Sequence, residues 1–524
     1  MRLPSKAVAS WLPAATLAVL GCSGQVSIGQ GSLDAGTPPD SHEASPIDAK
    51  PRAESGSDGG PGEGVTVLQA GNDFLVYGVT SDGFVVYSLA STMPTLMAAS
   101  VAGGSPMTIG AVSSESFYVD IVGNAVIVFD SIGQEYQAII KVWSSTTPLT
   151  TLSSAAYAYA VAVSSQPLSF GGTSGTAVLY TTDYDPETAT AELIVSALDG
   201  SRSSVLGNVV GLTASTANCF PELAFVGSSA LVASCTEGTE TGNIDLFTPP
   251  SSGSMWADTT IAQGVLPFAR IDPTGKGILF SGNTGLSSVD TTVSAPTPLL
   301  LDPTGTLGLF TGDGARVVYT SASGALRVSP AYVASPTTLV PTGAEGLVAL
   351  SPDNTVALVY ESYDSSTGTF DLYASATSAA GSLVSLDSMV NASTLFGSFF
   401  SADSSRALFL TNVHDYLGDL NEADVSTGAV TTLGTGVSTV WAVSGSKVAY
   451  ADGTVTPVGS SISNANVELV DVDNAGAPER LAAAVNTTAN YASFFVWQPA
   501  QGASSVVYAT NDATPGVCAK SIAP

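Results

Sequence analysis

Basic residues, histidine and cysteine are scarce in this 524-residue chain: 14 Lys and Arg together, two His and four Cys, against 44 Asp and Glu. A net charge of −30 repels nucleic acid and anionic lipid and favours cationic partners or divalent cations. The histidines, His42 and His414, lie far apart in sequence, and no Cys-x-x-Cys is present, so the usual zinc-ligand spacings are missing. There is no Gly-x-Ser-x-Gly elbow, His-Glu-x-x-His helix, phosphate loop or dinucleotide fingerprint. Long apolar runs are lacking too. The one near the N-terminus, residues 7–20, is broken by Ser10, Pro13 and Thr16 and is too short to span a hydrocarbon core of about 30 Å.

That short run follows Arg2 and Lys6 and ends in Val19-Leu20-Gly21-Cys22, the layout of an export signal with a small residue at the cleavage point. The four-residue ending resembles the lipobox of bacterial lipoproteins. The resemblance implies a signal peptide over residues 1–21, diacylglycerol on the Cys22 sulfur, and Cys22 as the mature N-terminus. It also implies a location on the outer membrane, facing periplasm or cell surface, because Ser23 rather than Asp follows the cysteine. Residues 22–64 are rich in Gly, Ser, Pro, Ala and Asp and carry a net charge of −5. Such a segment buries too little apolar surface to offset chain entropy and reads as a disordered tether.

From Val65 the composition changes to Val, Ala, Ser, Thr and Gly with recurring aromatics, the mix of buried strands and tight turns. Residues 65–524 hold 37 acidic and 10 basic side chains, a net charge of −27. An apolar strand, a short polar turn and a second strand ending in Tyr or Phe recur. The clearest turns are Asp272-Pro273-Thr274-Gly275, Ser351-Pro352-Asp353-Asn354 and Ser401-Ala402-Asp403-Ser404. Looser ones centre on Asp82-Gly83, Gly123-Asn124, 172–175, 227–229, Asp313-Gly314, 444–446 and 499–502. These ten centres lie roughly 40 to 55 residues apart, the spacing of one four-stranded propeller blade. The three clear turns resemble the Ser-Pro-Asp-Gly turn of TolB-like, WD40-like propellers. The expected fold is therefore all-β: a single propeller over residues 65–524, with seven or eight blades if some hairpins are outer pairs.

Cys219 and Cys235 are symmetric about Gly227, which places them across paired strands as a candidate disulfide in an exported protein. Cys518 is then left buried without a partner. Acidic residues, often beside tyrosine, recur after the second strand of several blades: Asp130, Glu135 and Tyr136; Asp183, Tyr184, Asp185 and Glu187; Glu237 and Glu240. The series continues with Glu361, Tyr363 and Asp364, then Asp415, Tyr416, Asp419 and Glu422. In a propeller these loops emerge on one face, which is read as a partner-binding face for an envelope protein or glycan. Asp471-Val472-Asp473-Asn474-Ala475-Gly476 has Ala at a ligand position and no Glu six residues later, so it reads as an Asx turn. No metal or cofactor is assigned, beyond weak calcium binding by scattered carboxylates. The function expected is a lipid-anchored binding or scaffold protein without enzymatic activity. The alternatives are an envelope hydrolase or lyase using mouth carboxylates and a structural lipoprotein without a ligand.

Overall fold

The computed structural model describes residues 65–522 apart from 211–221 and shorter stretches, among them 134–136, 237–240, 415–416 and 474–477. The signal peptide, Cys22 and the tether lie outside the described residues. Everything described is strand, turn or irregular chain, with no helix. Five four-stranded antiparallel sheets stand apart, a seven-stranded sheet divides in two along the strand Ala257–Ile271, and an eleven-stranded sheet divides into three. The division is physical: Ala257–Ile271 pairs backwards through its first half and forwards through its second, as does Val430–Ser444.

Among the described residues ten successive units result, of the kind that builds propeller blades, antiparallel apart from Phe396–Gly397, which pairs in parallel with Thr439 and Val440. They occupy residues 74–111, 117–157, 161–210, 222–262, 265–302, 309–340, 346–391, 396–434, 437–485 and 494–522. The last is completed from the other end of the chain by Val65–Ala70, which pairs with Gly516–Ile522 from Val65↔Lys520 to Ala70↔Gly516. Among the described residues these units outnumber the seven or eight blades expected. None of the ten turn centres is an outer pair, because each falls between the first and second strand of its own unit.

The strands are apolar on both faces, as sheets stacked against neighbours on either side require. Ala125–Asp130 and Ser504–Thr510 are buried at every residue. Nine apolar clusters lie between consecutive units, for example Val86, Leu96, Val119 and Val128 between the first and second. Another unites Phe74, Val85 and Tyr87 of the first unit with Val507, Ala509 and Val517 of the tenth. Chain-sequential packing therefore ends with the last sheet against the first. Fully burying one such side chain contributes about 1.5–3 kcal/mol, so these clusters are the main cohesion between sheets.

Turn chemistry explains the first-to-second strand connections. In Thr80–Gly83, Thr311–Gly314, Ser351–Asn354 and Ser401–Ser404 the hydroxyl of the first residue donates to the Asp two places on, at 2.5, 2.6, 2.7 and 2.6 Å. The fourth residue is left-handed in each, at φ 82°, 65°, 62° and 68°. That is why glycine suits this place and Asn is the next best fit. Two of the looser centres, at Asp82-Gly83 and Asp313-Gly314, hence carry the same turn as the clear copies.

Candidate functional site

Strand direction sorts the connections into two ends. The first-to-second turns lie at one end together with the third-to-fourth turns. In unit after unit the residue after the third strand donates its amide to the carbonyl before the second, as Val101 does to Gly83, Thr377 to Thr355 and Val472 to Ser446. The second-to-third connections lie at the opposite end, six to nine residues or about 20–30 Å away along the strands.

At the turn end, neighbouring units lock together. Ser81 N donates to Gly123 O at 2.7 Å, Gly312 N to Asn354 Oδ1 at 2.7 Å and Asp353 N to the Ser404 hydroxyl at 3.1 Å. Asp403 N continues to Gly445 O at 3.2 Å, Gln498 Nε2 to Val443 O at 3.0 Å and Trp497 Nε1 to Ser81 O at 3.4 Å. Asp272 is buried at 1% exposure and takes the Thr274 amide and hydroxyl, both at 2.8 Å, and the Tyr332 hydroxyl of the next unit at 2.5 Å. Burial raises the Asp353 and Asp403 carboxyls, but hydrogen bonds from Ser351 and Thr355, and from Ser401 and Ser405, outweigh it and leave both below the ordinary range.

The loop end holds most of the residues read from sequence as a partner face. Three units carry the same β-bulge there, skipping from Thr182 to Asp185, Glu361 to Asp364 and Thr411 to His414. Inside each, one non-glycine residue is left-handed: Asp183 at φ 49°, Ser362 at 59° and Asn412 at 51°. Such bulges twist a strand end and re-aim its side chains. Asp183, Asp185, Glu187 and Asp364 are exposed, and Glu361, Tyr363 and Asp419 partly so. Asp185 caps its own turn through the Thr188 hydroxyl at 2.7 Å and the Glu187 amide at 2.9 Å. Asp364 does so through the Ser366 hydroxyl and amide at 2.7 and 2.8 Å. These bonds, the hydroxyl first, lower both carboxyl pKa values below the ordinary carboxylate range.

Three members of the predicted face are corrected. Asp130 is buried, ion-paired to Lys141 and accepts the Ser113 amide at 2.8 Å. Burial pushes its carboxyl up, but the Lys141 and Ser113 bonds outweigh this and hold it below the usual range. Tyr184 turns inward from the bulge and packs edge-on against Tyr157, with ring centroids 5.1 Å apart. Glu422 is buried beside Arg406 at 3.0 Å and, opposite Leu408, sits toward the turn end. Glu135, Tyr136, Glu237, Glu240, Asp415 and Tyr416 lie outside the described residues. Cys235 is disulfide-bonded, Cys219 lies outside the described residues, and Cys518 is a buried free thiol. In the Asp471–Gly476 segment, Asp471 accepts the Ser446 hydroxyl at 2.6 Å and the Asp473 amide at 3.2 Å, the latter an Asx-turn bond.

Basic residues are distributed unequally between the ends. Lys276, Arg316, Arg406, Lys447, Arg480 and Lys520 all lie in or beside the turns, where Lys276, Arg406, Arg480 and Lys520 pair with acids of the same end. Near the loop end, Lys141 is paired with buried Asp130 and Arg327 with buried Asp302. Asp183, Asp185, Glu187, Glu361, Asp364 and Asp419 have no ion pair among the described residues. Their negative charge is therefore available to a partner.

Sequence reasoning passed over three ionisable residues on inner strands. Asp120 and Glu222 are partly accessible at their surfaces but have deeply placed carboxyls, and desolvation pushes them up to about 6 and about 7. Arg270 beside Glu222 is lowered to about 10 by desolvation. A lone charge interrupting an apolar strand, as in Val119-Asp120-Ile121, was the available signal. Among the described residues no group of three or more His, Cys, Asp or Glu is placed to hold a metal ion. A small apolar cavity lined by Val348, Leu358, Phe370, Leu372 and Leu408 lies between the seventh and eighth units, and its walls carry no charged side chain.

No protein family and no curated protein matches this chain in sequence. Solved structures that resemble it are β-propeller-like. Saccharomyces cerevisiae Sqt1 aligns over 68% of this chain and 95% of its own, with TM-score 0.37 and 11% identity. Chaetomium thermophilum Sqt1 bound to the N-terminus of ribosomal protein L10 aligns over 70% and 97%, at 0.36 and 14%. A putative 6-phosphogluconolactonase from Bacteroides fragilis aligns over 70% and 94%, at 0.30 and 12%. Overlap this partial carries neither a partner nor an activity across to this chain.

Proposed function

We propose that this protein is a lipid-anchored envelope binding or scaffold module whose ten units close into one ring and whose loop end recognises a cationic partner, protein or glycan-associated. The observation that carries the reading is the set of exposed acidic loops at one end. Among the described residues Asp183, Asp185, Glu187, Glu361, Asp364 and Asp419 make no ion pair, while Lys141 and Arg327 near that end are neutralised by buried Asp130 and Asp302. Unpaired carboxylates on short, hydrogen-bonded turns attract cationic surfaces over a Debye length and pay little conformational entropy on contact. Closure of the ring is supported by the apolar cluster joining first and last units and by completion of the tenth unit with Val65–Ala70. Cys22 supplies the anchor and residues 23–64 the tether, on the strength of the lipobox resemblance.

The test is cross-linking capture from native envelopes with the full lipidated chain, repeated at rising salt. A stoichiometric partner whose capture falls steeply with salt supports the reading. Equal capture at all salt concentrations, or no partner at all, counts against it.

A further inference from the structure

The position of the first strand fixes which face an N-terminal anchor would draw toward its membrane. Val65–Ala70 is the outermost strand of the tenth unit, and its direction follows from the ladder. Val65 pairs with Lys520 near the end of Gly516–Ile522, and Ile522 pairs with Ser504, the first residue after that unit's first-to-second turn. Gly103, in the third-to-fourth turn of the first unit, lies against the Thr66 side chain. At its other end the strand reaches the second-to-third connection, where Gly71 N donates to Pro515 O at 3.0 Å. The chain therefore enters the fold on the turn end, the end that carries Lys276, Arg316, Lys447 and Lys520.

We infer that the protein is oriented: the interlocked turn end faces the membrane and the acidic loop end faces away, toward a soluble or opposing-surface cationic partner and not toward the lipid. This rests on the proposed anchor at Cys22. A flexible segment of the length of residues 23–64 would have a root-mean-square reach of about 35 Å. That is close to the height of the sheets, so the side of entry biases orientation instead of being averaged out.

The test places one fluorophore at either end of the same unit. Ser365, in the second-to-third connection of the seventh unit, and Ala379, in its third-to-fourth turn, are both exposed. They flank Thr369–Ala376, eight residues or about 25 Å of strand. Ser365→Cys and Ala379→Cys are labelled in the full lipidated chain. Buried Cys518, its thiol pushed up to about 11 by desolvation, stays unreactive. The labelled chains are reconstituted in phosphatidylethanolamine–phosphatidylglycerol vesicles bearing an energy-transfer acceptor. Transfer from position 379 is expected to exceed that from position 365 about twofold or more, and Cys22→Ala is expected to abolish both. Vesicle-bound protein with equal transfer, or more from position 365, overturns the orientation while leaving the anchor standing. A Cys22-intact chain that does not bind vesicles overturns the anchor, and the orientation with it.

Discussion

The two ends of the strands spend the same residue type differently. At the turn end, Asp82, Asp313, Asp353 and Asp403 accept hydrogen bonds from a hydroxyl two residues earlier, and the turns they shape touch the next unit. At the loop end, Asp185 and Asp364 make comparable local bonds, and the neighbouring unit reaches the first of these loops through Gln137 Nε2, which donates to Tyr184 O at 3.3 Å. The turn-end aspartates shape contacts between units, whereas Asp185 and Asp364 hold exposed charges at the loop end; on the proposed reading those charges are what a partner meets.

The comparison can be broken most severely through a buried ion pair. Arg327→Ala leaves the Asp302 carboxylate, 3% exposed, without its guanidinium partner. Loss of one partner of a buried pair costs about 3–5 kcal/mol. Because Arg327 itself is a quarter exposed, water relieves part of this and about 2–3 kcal/mol is expected in urea unfolding. Next in size is Gly314→Ala. A Cβ there falls 2.2 Å from Asp272 Oδ1, on a residue at φ +65°. Left-handed strain of about 1–2 kcal/mol adds to disruption of the Asp272 network, so thermal unfolding drops at least as far as that strain alone requires. Asp185→Asn and Asp364→Asn leave the urea midpoint nearly unchanged, as exposed sites do, and weaken partner capture instead.

The pH dependence sharpens the contrast. Hydrogen bonds hold Asp353 and Asp403 below the ordinary range, with burial opposing. Their contribution is present above the unfolded carboxylate pKa of about 4 and is lost as pH falls below it. Glu222 runs the other way, since burial raises its folded pKa to about 7. In the window from about 4.5 to 7 the folded state binds more protons, so stability falls as pH rises through it and levels off above. Glu222→Gln is expected to remove that slope, measured as urea midpoint against pH. A slope unchanged in the variant would assign it to other groups.

Much of this was legible in the sequence for a local reason. A Ser or Thr, an Asp two residues on and a residue tolerant of positive φ make a turn whatever surrounds them, so the centres at Asp82, Asp313, Asp353 and Asp403 could be found before any sheet was known, and glycine marked most of the others. The expectation of seven or eight blades came from measuring ten turns against the usual ceiling of eight. The loop positions were legible too, since acids and tyrosines stand out after apolar strands. What each side chain does there was not. Tyr184 faces inward because a left-handed Asp183 re-aims the strand end, and a backbone angle leaves no trace in composition. Asp130 and Glu422 are neutralised by Lys141, eleven residues away, and Arg406, sixteen away, through pairings that depend on register. Asp120 and Glu222 escaped notice because only the assembled sheets bury them.

The most direct measurement compares two triple variants of the full chain, Asp183→Asn/Asp185→Asn/Asp364→Asn at the loop end and Asp313→Asn/Asp353→Asn/Asp403→Asn at the turn end. Each is followed by urea unfolding and by envelope cross-linking under native conditions. The account predicts a crossover: the loop variant keeps its unfolding midpoint and loses partner capture, while the turn variant loses about 1 kcal/mol per turn and, below its unfolding transition, captures as before. Equal capture by both variants and the parent, or equal loss of stability in both, would contradict the division of labour between the two ends.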